Sequence, residues 1–479
     1  MNGSILAVDV GSSSVRAVVS DRYGGEARGS YTQIAYQFER TPDGGATLDP
    51  DRVCGLVFEC IDQALAKAGD VHIALVAIDT FVTSLVGLGA QDELVTPLYT
   101  WSDARGSDLR PALASRLDGE AYHQRTGCTL HPSYWPLRLL WLKRSAPEVF
   151  GQVRRWYTLG GLLIQRIFGG HAVSISDASW TGLLDRRTLT WDSATLDALE
   201  LPRESLPEIT AGALSGLSGA YAGRWSALHG AEWRLPIGDG IASNVGAGCR
   251  HPWQVALALG TSGAMRVIVD GAPETVPDGL FCYRVDRQRS LVGGALSNVG
   301  SVYYWLTQTL RLDSPELLQT ELGQMEPDSH GLTVLPYLTP ERSPHWDERI
   351  PAALVGMTAA TRPLDVLRAG LESVAFGYAR ILERLRPLLP DTFTITASGG
   401  AVSSSPALMQ ILADVLGQPI QTARAAEASL RGAVLFQTGE AHQAELAATY
   451  TPDPSRTAVY AAAMERQSAL LARFQGERA

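Results

Sequence analysis

The chain has 479 residues, 45% hydrophobic and 19% charged, with a formal net charge of −10. That length exceeds one compact core and predicts two domains, while an acidic balance without a basic cluster excludes a nucleic-acid partner. No apolar stretch reaches the ~20 residues needed to cross a bilayer, and no basic leader precedes the first apolar run, so a cytoplasmic protein without a membrane partner is expected.

The opening run Ile5-Leu6-Ala7-Val8-Asp9-Val10 leads into Gly11-Ser12-Ser13-Ser14 and then Val15-Arg16-Ala17-Val18-Val19. An apolar run, small residues and a second apolar run read as a strand, a tight turn and a returning strand. Such a turn offers N–H groups and hydroxyls to an anion, with no side-chain bulk in the way. Asp9, at the strand end, suits a metal ion beside that anion. A turn at Asp21–Gly25 and a third strand over 26–36 follow. Arg52–Ala68 has helical apolar spacing, and Ile73–Ile78 is a short apolar run of the kind a buried strand needs. Hairpins followed by a helix and a buried strand predict an α/β core with a mixed sheet.

From about Ala104 to Leu235 the chain is rich in Trp, Arg and Leu, with helices expected at Pro136–Lys143 and Leu159–Phe168. This stretch reads as insertions that build a substrate pocket onto the first domain. The second domain restarts near Trp253 with an echo of the opening: Ala256-Leu257-Ala258-Leu259, then Gly260-Thr261-Ser262-Gly263, then Ala264-Met265-Arg266-Val267-Ile268-Val269. Two such hairpins, one in each half, suit a single polyphosphate gripped from both sides, which predicts a phosphotransferase. A helix over Leu364–Leu389, a strand at Phe393–Ala397 and a helix over Pro406–Leu416 complete the second core, and an Ala-rich helix over Pro454–Arg473 ends the chain. Ser398-Gly399-Gly400 lies between strand and helix, where a helix N-terminus favours phosphate. The boundaries expected are 1–248, 249–440 and a helical tail over 441–479.

Inventory removes several alternatives. Lys67 and Lys143 are the two lysines of the chain; they follow Ala66 and Leu142, so neither completes a Gly-Lys-Ser/Thr phosphate loop, and neither has the strand context of a protein-kinase lysine. Cys54, Cys60, Cys128, Cys249 and Cys282 are scattered without zinc-site spacing and read as reduced thiols.

The three glycine-rich turns, in this order and spacing, resemble the phosphate and adenosine motifs of the FGGY carbohydrate kinases, within the actin/hexokinase/Hsp70-like superfamily. Leu354-Val355-Gly356-Met357 with Leu371-Glu372-Ser373-Val374-Ala375 is similar to the family's C-terminal signature. Pro340-Glu341-Arg342-Ser343-Pro344-His345-Trp346 resembles its Gly-Glu-Arg-Ala-Pro-x-Trp stretch, with Pro340 in place of Gly. The resemblance runs from Ile5 to about Gly439. It implies two ribonuclease-H-like (actin-like ATPase) domains with mixed sheets flanking a central cleft, ATP and Mg²⁺ as cofactors, and a small-molecule sugar or sugar acid as substrate; a homodimer is compatible with it.

The resemblance also assigns residues. Asp239, in Ile237-Gly238-Asp239-Gly240, matches the general base that takes the proton of the sugar hydroxyl, a group this chemistry wants because an alcohol is a poor nucleophile. Asp9 matches the metal-side acid. Gly11, Ser12, Ser13 and Arg16, with Gly260 and Thr261 opposite, match the phosphate contacts; Gly300, Gly399, Gly400 and Ser404 match the nucleotide side. Trp101 and Asp103, in Trp101-Ser102-Asp103-Ala104-Arg105, match the sugar pocket. Gly127-Cys128-Thr129-Leu130-His131-Pro132-Ser133-Tyr134 resembles a gluconate-kinase stretch and places His131 near the sugar. Thr83, in Phe81-Val82-Thr83-Ser84, stands where gluconate and xylulose kinases carry a histidine and where glycerol kinases carry an acid of an Arg-Glu pair. Glycerol is therefore disfavoured and gluconate favoured, with a ketopentose or polyol such as xylulose as the alternative. A non-catalytic sugar-sensing protein of the same fold is the alternative from another class.

Overall fold

The computed structural model describes residues 3–26, 29–312, 315–424, 427–441 and 445–476. Strand Ser4–Val10 pairs antiparallel with Ser14–Ser20, which pairs antiparallel with Thr32–Ala35. On its other edge Ser4–Val10 runs parallel to Ile73–Thr80, and the sheet continues through Glu232–Arg234 to Ala213–Leu214. Ile237–Gly238 also pairs with Ile73–Thr80. Helix Pro50–Ala68 makes the crossover; Asp49 caps the N–H groups of Asp51 and Arg52, and Val53, Val57, Cys60, Ile61 and Ala64 bury one face.

The second sheet repeats that plan. Gln254–Leu259 and Gly263–Asp270 form the hairpin, with Arg289–Leu296 and Phe281–Arg284 beyond it. Helix Pro363–Leu385 precedes Thr394–Ser398, which runs parallel to Gln254–Leu259 and is followed in the sheet by Ile420–Ala423. The mixed sheet expected from the sequence therefore occurs twice.

The two units meet where helix Asp239–Gly246 crosses helix Ala428–Thr438. A Cβ on Gly246 would lie 1.7 Å from the Ala428 carbonyl oxygen, and one on Gly432 would lie 1.7 Å from that of Ala242. Only glycine permits backbones this close. Ile5, Ala7, Leu75, Ala77, Ala264 and Ile268 pack around the crossing as a shared core. The insertions form a core of their own around Trp135, Leu137, Trp156 and Trp191.

Several elements differ from expectation. The third strand is confined to Thr32–Ala35, with residues 27–28 of the expected span outside the described residues. The buried strand extends past Ile78 to Thr80, carrying Asp79 into the sheet. The long helix stops at Leu385, and Pro387 falls in a following 3₁₀ turn. The C-terminal segment is integrated rather than appended: Leu446–Tyr450 adds an edge strand to the second sheet. Tyr460, Ala463, Gln467 and Leu471 form a buried stripe on helix Pro454–Gly476, a spacing hidden among alanines and charges. The Tyr460 hydroxyl donates to Glu372 Oε1 at 3.2 Å, which Arg368 Nε also reaches at 2.7 Å. Among the described residues no helix is long and apolar enough to cross a membrane.

Candidate active site

Both hairpin turns border one cavity of about 390 Å³, lined by Ser12 and Arg16 from the first unit and by Gly260, Ser262 and Gly399 from the second. Thr83, Trp101 and Asp239 also reach it. Asp9 is buried at the end of its strand, and Arg16, its partner across the hairpin, donates from Nη1 to Asp9 Oδ2 at 2.9 Å. The same Nη1 is 3.4 Å from Glu427 Oε2 of the second unit. Tyr36 braces the first turn, its hydroxyl donating to the Gly11 carbonyl and its N–H to that of Ser13 at 2.9 Å.

The opposing turn is held from behind. The N–H groups of Gly300 and Ser301 donate to the carbonyls of Gly260 and Thr261 at 2.9 and 3.1 Å. Gly399 has φ of +109°, and a Cβ there would lie 2.5 Å from the Leu259 carbonyl oxygen, so the third turn can press against the second only as glycine. Gly11 and Ser13 of the first turn, and Thr261, Gly300, Gly400 and Ser404 of the second unit, do not line the cavity. Ser404 Oγ is taken up by the Gly400 carbonyl of its own short helix at 3.1 Å, and Ser405 caps the next one.

Asp239 is the first residue of its helix and lines the cavity. Its glycine neighbours have a packing reason: a Cβ on Gly238 would meet Trp180 Nε1 at 2.6 Å, and one on Gly240 would meet the Trp180 ring at 3.0 Å. Burial raises the Asp239 carboxyl to about 6; Arg266 opposes that rise and the negative charge of Asp9 adds to it. Arg266 enters from the second unit with Nη1 on Ser243 Oγ at 3.3 Å and a buried Nε that has no acceptor among the described residues.

The neighbouring pocket is aromatic. Trp180 stacks on Tyr283 with ring centroids 3.6 Å apart, and Phe281 stacks on Tyr283 at 4.6 Å. Thr83 holds φ of +60°, rare for a β-branched residue, and its buried hydroxyl has no partner among the described residues. Arg138, fully buried, fixes the surrounding loops by donating to the carbonyls of Thr83, Thr100, Pro132 and Ser133 at 2.6–3.1 Å. The Trp101 face is covered by Arg342, whose guanidinium carbon is 5.3 Å from the ring centroid.

Two of the expected sugar contacts are not brought to the cavity. Asp103 is buried with its carboxylate occupied by the Ala46 N–H at 3.0 Å and by the Arg105 fork. His131 packs edge-on against Trp346 at 5.0 Å, accepts the Ser133 N–H at Nδ1, and is held neutral by burial and by Arg110 and Arg342. A turn-forming Asp-x-Arg and a His before Pro organise loops in this chain, roles that spacing does not separate from ligand binding.

Sequence reading passed over Arg266, Trp180, Tyr283, Arg342 and Asp79. Arg266 had a signal, since it stands on the returning strand of the second hairpin much as Arg16 stands on the first. Asp79 is buried in register with Asp9 on the neighbouring parallel strand. The cavity thus brings together two small-residue turns of phosphate-binding type and a carboxyl able to take a proton near neutral pH.

Known proteins resemble this chain over most of its length. The family model for the N-terminal domain of the FGGY family of carbohydrate kinases matches residues 4–246, and that for the C-terminal domain matches 255–440. The gluconokinase of Bacillus licheniformis is 24% identical over 460 residues, covering 92% of this chain and 88% of that protein. A glycerol kinase of Alkalilimnicola ehrlichii is 29% identical over 455 residues, covering 90% and 88%. Crystal structures of a gluconate kinase and of a ligand-bound xylulose kinase, both from Lactobacillus acidophilus, each superpose with a TM-score of 0.89 at 29% identity, covering 98% of this chain and 97% of theirs. The chain belongs to the FGGY family: it is a sugar kinase with the two-domain actin-like ATPase fold, and kinases of this family use ATP as phosphate donor.

Proposed function

We propose that this FGGY kinase transfers the γ-phosphate of ATP to a hydroxyl of a sugar acid, with gluconate as the first candidate. The observation that carries the reading is that Arg266 and Arg342 line the same cavity as Asp239. A neutral sugar needs no cation there, whereas a guanidinium pairs with a carboxylate through two parallel N–H bonds. Likeness to gluconokinases supports the same substrate class.

In this reading the N-terminal domain, 1–248, supplies the sugar pocket, the first phosphate turn and the base, and the C-terminal domain, 249–440, supplies the second turn and the adenosine side. Trp180 offers an apolar face to the carbon skeleton, Thr83 offers its unpartnered hydroxyl, and Asp239 accepts the proton of the attacking hydroxyl. Ser12, Ser13 and Arg16 receive the transferred phosphate opposite Gly260 and Thr261, and Gly300, Gly399, Gly400 and Ser404 shape the nucleotide side. Asp9, a buried hard-oxygen donor next to the first turn, fits Mg²⁺ and would hold it. The ion supplies neutralisation of phosphate charge. Closing the two walls excludes water while the hydroxyl and phosphate are held in line.

An ADP-release screen over gluconate, other aldonates, xylulose, ribulose and erythritol tests the proposal. Turnover of an aldonate well above the neutral sugars is expected. Turnover of a ketopentose or polyol alone would overturn the sugar-acid reading, and sugar binding without ADP release would favour the sensor.

A further inference from the structure

Asp79 is a buried acid with no hydrogen-bond donor on it among the described residues. An acid removed from water without partners costs several kcal/mol, so such a group is retained only where something completes it. Its surroundings limit what that is. The strands Ser4–Val10 and Ile73–Thr80 run parallel with Asp9 opposite Asp79, which puts both side chains on one face of the sheet, the face that Ile5, Ala7, Leu75 and Ala77 turn toward the helix crossing. The two carboxyl groups are within hydrogen-bonding reach of one another, and with both ionised each would only accept. Of the two aspartates Arg16 bonds Asp9, at Oδ2, and Asp239 is a further acidic neighbour of Asp79. Facing oxygens of this kind need a cation or a proton between them.

We propose that Asp79 is a second carboxylate ligand for the divalent cation that Asp9 holds, and that the pair takes up this ion before nucleotide arrives. The inference rests on the metal role given to Asp9 above. One carboxylate in a phosphate-binding cleft binds Mg²⁺ mainly through the nucleotide it accompanies. Two adjacent buried carboxylates supply enough charge and enough hard oxygen to retain the ion by themselves, with water completing its shell. The ion is then in place when the phosphates enter.

The test titrates Mn²⁺ into the full chain at pH 7.5, without nucleotide or sugar, following the free-ion signal by electron paramagnetic resonance, with Mg²⁺ as competitor. One Mn²⁺ per chain is expected for the natural protein, with affinity lowered at least tenfold in Asp79→Asn and Asp79→Ser. Melting curves without metal check that both variants fold, and Mg²⁺ should raise the melting temperature of the natural protein more than theirs. No uptake by the natural protein would overturn the proposal and assign a shared proton to the pair. Uptake lost in Asp9→Asn but unchanged in both Asp79 variants would overturn it while leaving the role of Asp9 standing. Uptake unchanged in all three would remove both.

Discussion

Arg138 Nη1 donates to the Thr83 carbonyl at 2.6 Å, and through that bond a residue on an insertion helix sets the backbone of a residue at the end of the first sheet. The bond helps to keep Thr83 at φ +60°, with its hydroxyl buried beside the cavity and free of partners among the described residues. Strain of this kind costs about 1–3 kcal/mol and persists only where neighbours over-determine it.

Replacing Arg138 by Met should lower stability by about 3 kcal/mol, because four carbonyls lose a charged donor inside the protein. Thermal melts measure that loss. Thr83→Gly should leave the melting temperature nearly unchanged, since relief of strain is offset by a more flexible unfolded chain. Both Thr83→Gly and Thr83→Ala should raise the sugar KM while leaving that for ATP, and Thr83→Ser should stay near the natural value. Unaltered sugar KM in all three would remove Thr83 from the pocket.

Asp239→Asn should reduce turnover by about 10²–10⁴-fold, the usual worth of a positioned base. The same change should stabilise the fold. Burial lifts the Asp239 carboxyl from 3.8 to about 6, so the folded protein holds this proton more tightly than the unfolded chain does. Stability therefore falls as pH rises from about 4 through 6, and the ionised group is a liability above that. At pH 7.5 removing the charge should recover about 1–2 kcal/mol, after allowance for the contact of the group with the open cavity. A variant both inactive and less stable would contradict this account.

The pH profile of kcat/KM should show an acidic limb near 6, with activity rising as Asp239 loses its proton. Arg266 holds that limb down, so Arg266→Met should move it to higher pH. It should also cut kcat/KM for an aldonate by about 10²-fold, the loss of a charge-assisted bond, and affect a neutral sugar less. An unmoved limb would separate Arg266 from the base.

Gly432→Ala should prevent stable folding or lower the melting temperature sharply, because its Cβ would fall 1.7 Å from the Ala242 carbonyl oxygen. Gly55→Ala, with nothing near the added carbon and a helical position, should be neutral or stabilising and serves as the control. Equal melting temperatures for the two variants would refute the close crossing.

Much of the site was legible because it is made of local chemistry. Small-residue turns between apolar runs announce themselves, and so does an acid between glycines, since backbone donors and steric room are properties of short segments. Asp103 and His131 mark the limit: their motifs stand out in the sequence, but whether a side chain serves a ligand or a loop depends on which partners the fold delivers. Asp103 was delivered Arg105 and Ala46, and His131 was delivered Trp346 and Ser133.

By itself the sequence determined two α/β units, each opening with a phosphate-type hairpin, and a protonatable acid at the start of a small-residue helix. Tertiary structure alone decided that Asp79 would stand beside Asp9, that Trp180 would press on both flanks of Asp239, and that Arg266 would reach that acid from the other unit. The division follows from range. Turn chemistry is encoded within a few residues, whereas strand register and the approach of two domains are set by packing over the whole chain.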